Sequence, residues 1–479
     1  MSDVHIWYIC RYSTIYTSWR DKAYTMPAAN ALIPGRKSDR KLRKIGAHVY
    51  GMGGTDVPES SFGGFCGSKL VDLSNNAIES LPDSVLSLDN LTALTLRGCR
   101  NLKLVPSLTK LIRLNELDLG ETGITEVPHG LEMLVDLRYL SLNAPELKIM
   151  PHGILPKLYH LQYLTVFWHS KSVIVKEEEI ESLKKLETFG GHFKDMHEFK
   201  MYIKSLENRP LACYEIRVGM SGDGNYLIGE IAGKSVILGD CIEEEPFVLP
   251  KDVQYLEIKR CHHITSLCDV PSLNDTSEIR HIGLFLCKGI KHILSFASSS
   301  SSCTHSLHTL EILELYNLDD LLVLFRIEEA GSSCVPHDTF SCLKRILICN
   351  CLKIKKLLPP GLLLHLRNLE EIWVSFCEKL EEIAEEEKEG TDTIQITLPS
   401  LKILHLSGLP ELKTICSKEI VCDSLEKIEI HGCPELRRLP LFPYGQPPPH
   451  IETSEEWWES LDVDHRKTKD VLQPLLCRF

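Results

Sequence analysis

Cysteines beside histidines are the residues of this sequence whose types could bind a metal. Cys261 precedes two histidines, and Cys349 and Cys351 flank an asparagine; thiolates and imidazoles are the usual ligands of zinc. None of the 18 cysteines has a C-x-x-C partner, the spacing that structural zinc sites use. Six of them instead recur at one position of an internal repeat, which predicts buried structural thiols and no metal site: Cys99, Cys261, Cys287, Cys351, Cys377 and Cys433.

Catalysis and nucleotide binding have no pattern of their own in the sequence. Histidines and acidic residues are plentiful, but no Ser/His/Asp, Cys/His or paired-carboxylate set can be argued from their spacing. Glycines crowd residues 51–67 without forming G-x-x-x-x-G-K-[ST], and Lys69 is not followed by Ser or Thr. We therefore predict that the chain is not an enzyme and binds no nucleotide, cofactor or metal.

Leucines at fixed spacing are the dominant signal, and they define the elements that must position any site. Residues 91–106, LTALTLRGCRNLKLVP, read L-x-x-L-x-L-x-x-C-x-x-L, and the pattern recurs after steps of 23, 23 and 24 residues. This is the spacing of a leucine-rich repeat, in which a short strand enters a turn that buries an Asn or Cys. On the strand, Leu94 and Leu96 face the core while Thr95 faces solvent. We expect an α/β solenoid or horseshoe, with a parallel sheet on its concave face and short helices, 3-10 turns and irregular loops on its convex face.

Repeat length divides the chain into regions. Core strand positions in the second half are separated by 26, 31, 33, 26, 32 and 24 residues, because polar inserts lengthen the repeats; these positions are Leu256, Ile282, Leu313, Ile346, Ile372, Leu404 and Ile428. We predict a flexible non-repeat segment (1–66), regular repeats (67–188), diverged irregular repeats (189–250), repeats with long loop insertions (251–440) and a capping tail (441–479). The loops are expected at residues 298–302, 330–338 and 385–393, and a short helix in the tail should cap the last repeat through Trp457 and Trp458.

Charge and hydropathy limit the partners. The net charge is −13, which disfavours nucleic acid as the main partner. No apolar run reaches the roughly 20 residues of a membrane span, and the N-terminus lacks the apolar core of a signal peptide. We expect a cytoplasmic chain that binds proteins.

Aromatic and histidine side chains at solvent-facing strand positions are the candidate binding residues. Such residues are enriched at binding hot spots, although some of them could instead pack against one another or against an adjoining domain. The candidates are Tyr139, Tyr163, Phe167, Tyr255, Phe285, Tyr316, Trp373, His405 and His431.

The wording of the repeat, L-x-x-L-x-L-x-x-C-x-x-L-x-x-L-P, resembles the cytosolic repeats of plant disease-resistance receptors, and most of all the coiled-coil class of nucleotide-binding leucine-rich-repeat proteins. The resemblance runs from about residue 68 to the end. Its least generic parts are CPELRRLP (433–440), EEWWESLD (455–462) and DVLQPL (470–475), with SLKKLETFGGHF (182–193) in mid-array.

The resemblance implies a module that perceives pathogen effectors or guarded host proteins and restrains a nucleotide-binding switch domain. No switch-domain motif can be placed in residues 1–66, so ADP or ATP binding is carried over to no residue here. Two other interpretations remain open: a secreted or cell-surface receptor ectodomain, which the sequons at Asn90 and Asn274 would favour, and a non-functional truncated product.

Overall fold

A computed structural model describes residues 47–48, 67–147, 150–166, 176–206, 209–219, 233–240, 247–296, 307–327, 339–359, 362–384, 396–442, 449–461 and 476–478. Eighteen strands form one main sheet: β1 Ala47–His48, β2 Leu70–Asp72, β3 Ala93–Thr95, β4 Glu116–Asp118, β5 Tyr139–Ser141, β6 Tyr163–Val166, β7 Thr188–Phe193, β8 Cys213–Val218, β9 Lys234–Gly239, β10 Tyr255–Lys259, β11 His281–Phe285, β13 Ile312–Tyr316, β15 Arg345–Cys349, β17 Glu371–Ser375, β20 Ile403–Ser407, β22 Lys427–His431, β24 His450–Thr453 and β25 Leu476–Arg478.

Each strand of the main sheet pairs in parallel with the next one along the chain. This is the order of a solenoid, in which every repeat contacts only its neighbours. The seven unevenly spaced core positions, from Leu256 to Ile428, are direct register partners across β10–β22. The predicted leucine-rich-repeat fold is confirmed, and the inserts leave the strand register unchanged.

A second layer lies on the other side of the core. It contains 3-10 helices at Asp83–Ser87, Leu108–Lys110, Leu131–Met133, Leu155–Lys157, Leu267–Asp269, Pro271–Asp275 and Leu362–Leu364. It also contains three short parallel sheets, made of β12 Leu294–Phe296 with β14 Phe325–Ile327, β16 Lys356–Leu358 with β18 Glu382–Ala384, and β19 Ile396–Thr397, β21 Ile420–Val421 and β23 Leu441–Phe442. Buried leucines of both layers form one continuous hydrophobic core.

The turn after each strand explains the Asn or Cys position of the repeat. Asn76 donates its side-chain amide to the carbonyl of Leu73 at 2.8 Å, and the Cys99 thiol contacts that same carbonyl from the next repeat at 3.0 Å. In the next repeat, the hydroxyl of Thr122 donates to the carbonyl of Leu119 at 2.7 Å. The six cysteines predicted at this position are buried, so the repeat accounts for them.

Residues 189–250 contribute β7, β8 and β9 to the main sheet without a break in pairing. They also contain helix α2 (Met196–Leu206), which follows α1 (Glu177–Ser182). Helix α2 was not predicted from the sequence. It buries one side, and its Tyr202 ring lies 5.1 Å from that of Phe193, centroid to centroid.

The main sheet continues past residue 440, where the sequence predicts the repeats to end, because β24 pairs with β22 and β25 pairs with β24. Helix α3 (Glu455–Glu459) occupies the position of the expected capping helix. Both of its tryptophans are buried, and the indole nitrogen of Trp457 donates to the carbonyl of Leu436 at 3.0 Å. The three predicted insert loops, and all of residues 1–66 except β1, lie outside the described residues.

Candidate protein-binding surface

The outer face of the main sheet is the side opposite the leucine core. On every strand it is formed by the residues that alternate with the core positions, such as Glu371, Trp373 and Ser375 on β17. Because the strands are parallel and in register, equivalent outer residues lie side by side. Any feature built from neighbouring repeats therefore runs across the strands, along the length of the solenoid.

The first candidate pair lies near the N-terminal end of this face. Tyr139 on β5 and Tyr163 on β6 are register partners, and their rings stack with centroids 4.3 Å apart and planes inclined by 10°. The stack leaves only 8% of Tyr163 exposed. Tyr163 therefore presents a ring edge at most and supports its partner.

Four aromatic rings lie on β10, β11 and β13. Tyr255 meets His281 edge to face at 4.4 Å between centroids, and Phe285 stacks on Tyr316 at 5.2 Å with planes inclined by 8°. Phe285 is only 7% exposed because its ring lies over Gly283, where an added Cβ would come within 2.6 Å of the ring.

Charged groups surround these four rings. The amino group of Lys259 lies 5.4 Å from the centroid of Phe285, within the range of a cation–π contact. Glu257, fully buried, forms an ion pair with Lys259 and accepts a hydrogen bond from the hydroxyl of Tyr255. His281 lies 3.5 Å from a carboxylate oxygen of Glu314 on β13.

A longer series of contacts crosses β15 to β22. The guanidinium of Arg345 pairs with Glu371 at 3.1 Å, and Glu371 accepts a hydrogen bond from the indole nitrogen of Trp373 at 3.2 Å. Trp373 stacks on His405 with centroids 4.4 Å apart, and Nδ1 of His405 donates to Glu429. Each side chain is thus held by the next one.

The series continues to the edge of the array. Lys427 forms ion pairs with Glu429 on its own strand and with Glu452 on β24, and Glu452 also contacts His450 at 3.2 Å. Apart from His405, none of the acidic and basic members of this network was among the candidate residues. Their positions within the repeats would have identified them, since they occupy the same outer positions as the aromatic residues.

The electrostatics of this network follow from its contacts. The hydrogen bond from His405, aided by Lys427, lowers the pKa of Glu429 to about 2, so the carboxylate is ionised at neutral pH. Burial lowers the pKa of His431, and nearby His405 acts in the same direction. On β7, burial and Arg217 lower the pKa of His192 to about 4. His431 and His192 are therefore neutral imidazoles at pH 7.

The candidate residues do not form one continuous aromatic row. Register places Tyr139 and Tyr163 in one row, Tyr255 in a second, Trp373 with His405 in a third, and Phe285 with Tyr316 and His431 in a fourth. They instead form separate pairs across adjacent strands, as expected if they pack on one another, while His431 is exposed. Phe167 lies outside the described residues.

Within the described part of the chain, no group of three or more His, Cys, Asp or Glu side chains comes together as a metal site. In the same residues no helix is long and apolar enough to cross a membrane.

Comparison with known proteins identifies relatives of the repeats. Residues 330–444 match a family described as plant disease resistance protein RPS2-like, leucine-rich repeats. Over 451 residues the chain is 27% identical to disease resistance protein At4g27190 of Arabidopsis thaliana, covering 88% of this chain and 43% of that protein. Probable disease resistance protein At4g27220 of the same plant is 28% identical over 435 residues, covering 86% and 45%. The chain thus spans less than half the length of either relative.

Solved structures that resemble the chain include the leucine-rich-repeat protein LIC12759 of Leptospira interrogans. It is 16% identical, covers 80% of this chain and 94% of its own, and has a TM-score of 0.38.

Proposed function

We propose that this chain, a leucine-rich-repeat region of the RPS2-like plant disease-resistance type and a non-catalytic module, recognises other proteins through the outer face of its main sheet. The partner is a pathogen effector or a host protein that such an effector modifies, and recognition takes place in the cytoplasm. The observation that carries the proposal is the Trp373–His405 stack, held between Glu371 and Glu429. Aromatic side chains with fixed rotamers bind at low entropic cost.

The position of that stack supports binding rather than a purely structural role. Trp373 and His405 are both half-buried and stand on the outer face, away from the leucine core. A core role would place them inward, where Ile372 and Leu404 already fill the space between the layers. Tryptophan is also among the residues most enriched at binding hot spots.

A panel of secreted plant-pathogen effectors, co-expressed with this chain in leaves in a split-luciferase assay, tests the proposal. We expect at least one effector to associate with the chain and the signal to be lost in the double variant Trp373→Ala, His405→Ala. Leu104→Ala is the matched control, because Leu104 is a large apolar residue, 70% exposed, beyond the turn that follows β3. Equal signals from both variants would contradict the proposal.

A second role, docking of a nucleotide-binding switch domain, rests on a different surface. Shortly before strands β4, β5 and β6, and between two core leucines in each case, the chain exposes Ile112, Val135 and Tyr159, at 54%, 36% and 50% respectively. Contacts between neighbouring repeats show that these positions lie side by side: Arg113 donates to Asn90 at 2.7 Å and His160 lies 3.5 Å from Asp136.

We call Ile112, Val135 and Tyr159 the apolar edge. Exposed apolar side chains grouped in this way mark interaction sites. Exposed charged residues of both signs lie around them, and the basic ones outnumber the acidic ones, which favours a partner domain with an acidic surface: Lys110, Arg113, Lys157, Lys184 and Lys185 against Asp89 and Asp136.

Co-purification with a switch domain from a coiled-coil-class resistance protein tests this role. Tyr159→Asp should abolish the association while Leu104→Asp preserves it. If both variants co-purify to the same extent, the apolar edge does not dock the switch domain.

A further inference from the structure

The outer face contains a trough of small side chains between two lines of larger ones. Register partners Cys349 on β15, Ser375 on β17 and Ser407 on β20 form its floor, and all three are half-buried. Tyr316 on β13 closes one end of this row, and His431 on β22 closes the other. The trough therefore runs across the strands.

Its walls are held in place by contacts already made in the free chain. One wall is the Trp373–His405 stack. The other begins at Asn350, whose amide donates to Asn317 at 2.5 Å, and continues to Phe376, whose ring covers Gly408: a Cβ there would come within 2.8 Å of the ring.

The turn residues of the second wall extend the sheet ladder by one residue beyond the strands. Asn350 donates its backbone N–H to the carbonyl of Ser375, and Phe376 donates to that of Ser407, at 2.9 and 2.8 Å. Both residues have positive φ, 54° in each case. An asparagine tolerates that conformation, whereas it is uncommon for a phenylalanine. The two backbone hydrogen bonds hold this wall against the sheet, and Phe376 is a residue that the conformation of the turn alone would not favour.

The dimensions of the trough select the conformation of what fills it. From Tyr316 to His431 is four strand spacings, or roughly 19 Å at ~4.8 Å each, which is the length of about six extended residues. Trp373 and Phe376 are three residues apart on one chain, about 10 Å between Cα atoms, and their own side chains take part of that width. A helix with side chains is about 10–12 Å wide, whereas an extended backbone is narrower, so the space between the walls favours a single extended chain.

The chemistry of the floor suits a polypeptide backbone. Within the described residues, the hydroxyls of Ser375 and Ser407 make no hydrogen bond to the protein and can each donate to or accept from a peptide group. The floor carries no charged side chain, so no charged partner group is required there. The aromatic walls offer flat surfaces to the side chains that alternate along an extended segment.

From this we propose that the trough formed by Cys349, Ser375 and Ser407 binds an extended segment of about six residues of a protein partner, running across the strands of the sheet. The inference rests on the proposed function and specifies it. It adds that the partner presents a linear segment rather than a folded surface, and that Ser375 and Ser407 bond to its backbone.

A phage-displayed library of random linear dodecapeptides, selected on the purified full chain, tests this inference. We expect linear peptides to be enriched, and the best of them, followed by fluorescence polarisation, to bind Ser407→Phe at least tenfold more weakly because the ring fills the trough. Thr95→Phe, which adds the same ring to the outer face of β3, should bind within twofold of the unchanged chain. If Ser407→Phe lowers the melting temperature, the smaller Ser375→Leu replaces it, with the same expected loss.

Two results would overturn the inference: no enrichment of linear peptides, or equal binding by the trough variants and Thr95→Phe. The proposed function fails separately. If an effector loses binding to the Trp373→Ala, His405→Ala variant but binds Ser407→Phe normally, the outer face recognises a folded surface and only the trough assignment is wrong.

Discussion

The indole of Trp373 and the imidazole of His405 stack across β17 and β20, with centroids 4.4 Å apart and planes inclined by 20°. Both rings are held in place, because Glu371 accepts a hydrogen bond from the indole and Glu429 accepts one from the imidazole. Both acids are in turn paired with basic residues, Arg345 and Lys427. The two rings are thus held by a series of contacts that crosses four neighbouring strands, β15 to β22.

Gly283→Ala should disturb the Phe285–Tyr316 stack. The added methyl group would lie 2.6 Å from the Phe285 ring, so the ring must move, and overpacking of this kind costs about 1–3 kcal/mol. We expect a lower urea midpoint and a changed near-ultraviolet circular dichroism spectrum. Gly233→Ala is the control, since its methyl group would meet only the end of Gln254, at 3.4 Å. Identical midpoints for the two variants would show that Phe285 is not held against Gly283.

Cys351→Ser should destabilise the array more than Cys349→Ser, although the two cysteines are only two residues apart. Cys351 is buried in the turn, and its sulfur lies 3.7 Å from the Cys349 carbonyl and 3.9 Å from the Leu315 carbonyl, distances that a serine hydroxyl at the same place would not bridge with a hydrogen bond unless the turn shifted. A buried hydroxyl without a partner costs about 1–3 kcal/mol, whereas the half-buried Cys349 should tolerate serine within about 0.5 kcal/mol. Urea denaturation of both variants measures the difference. A larger loss at Cys349 would mean that the repeat position has been misassigned.

Glu429→Gln should make the free energy of unfolding depend less on pH under acidic conditions. The folded-state pKa of Glu429 is about 2, below the ordinary value of about 4.3 expected in the unfolded chain. Its ionised form therefore contributes stability that is present above about pH 4.3 and is lost as pH falls toward 2.

The urea midpoint of the unchanged chain should consequently fall more between about pH 5 and pH 2.5 than that of Glu429→Gln. Glu435→Gln makes the same chemical change at an exposed position and should keep the full dependence. A Glu429→Gln midpoint that falls as steeply as the control's would show that His405 and Lys427 do not stabilise the carboxylate.

Much of the fold follows from the sequence because the leucine spacing is imposed by the core. The positions Leu256, Ile282 and Leu313 are 26 and 31 residues apart, yet they pair directly, since inserts leave the sheet between strands. Helix α2 was not predicted, because residues 189–250 were assigned to diverged repeats, although Met196, Phe199, Tyr202 and Leu206 follow helical spacing. That signal was available.

The surface was predicted less completely than the core. The alternation of core and outer positions assigned Tyr163 and Phe285 to the outer face. It could not show that a stacked neighbour or an underlying glycine would bury them. Their burial depends on ring orientation, and the leucine pattern says nothing about rotamers. The trough floor was missed for a related reason: Ser375 and Ser407 matter through their small size beside Trp373, and a search for aromatic residues passes over them.

The central claim, that the outer face between β13 and β22 recognises a protein partner, is tested most directly by measuring the dissociation constant of an effector identified in leaves. Surface plasmon resonance would compare the unchanged chain with Trp373→Ala and Leu104→Ala. We predict at least a tenfold rise in the dissociation constant for Trp373→Ala, equivalent to about 1.4 kcal/mol, and less than a twofold change for Leu104→Ala. Equal affinity of all three proteins would contradict the claim and move the binding site off the outer face.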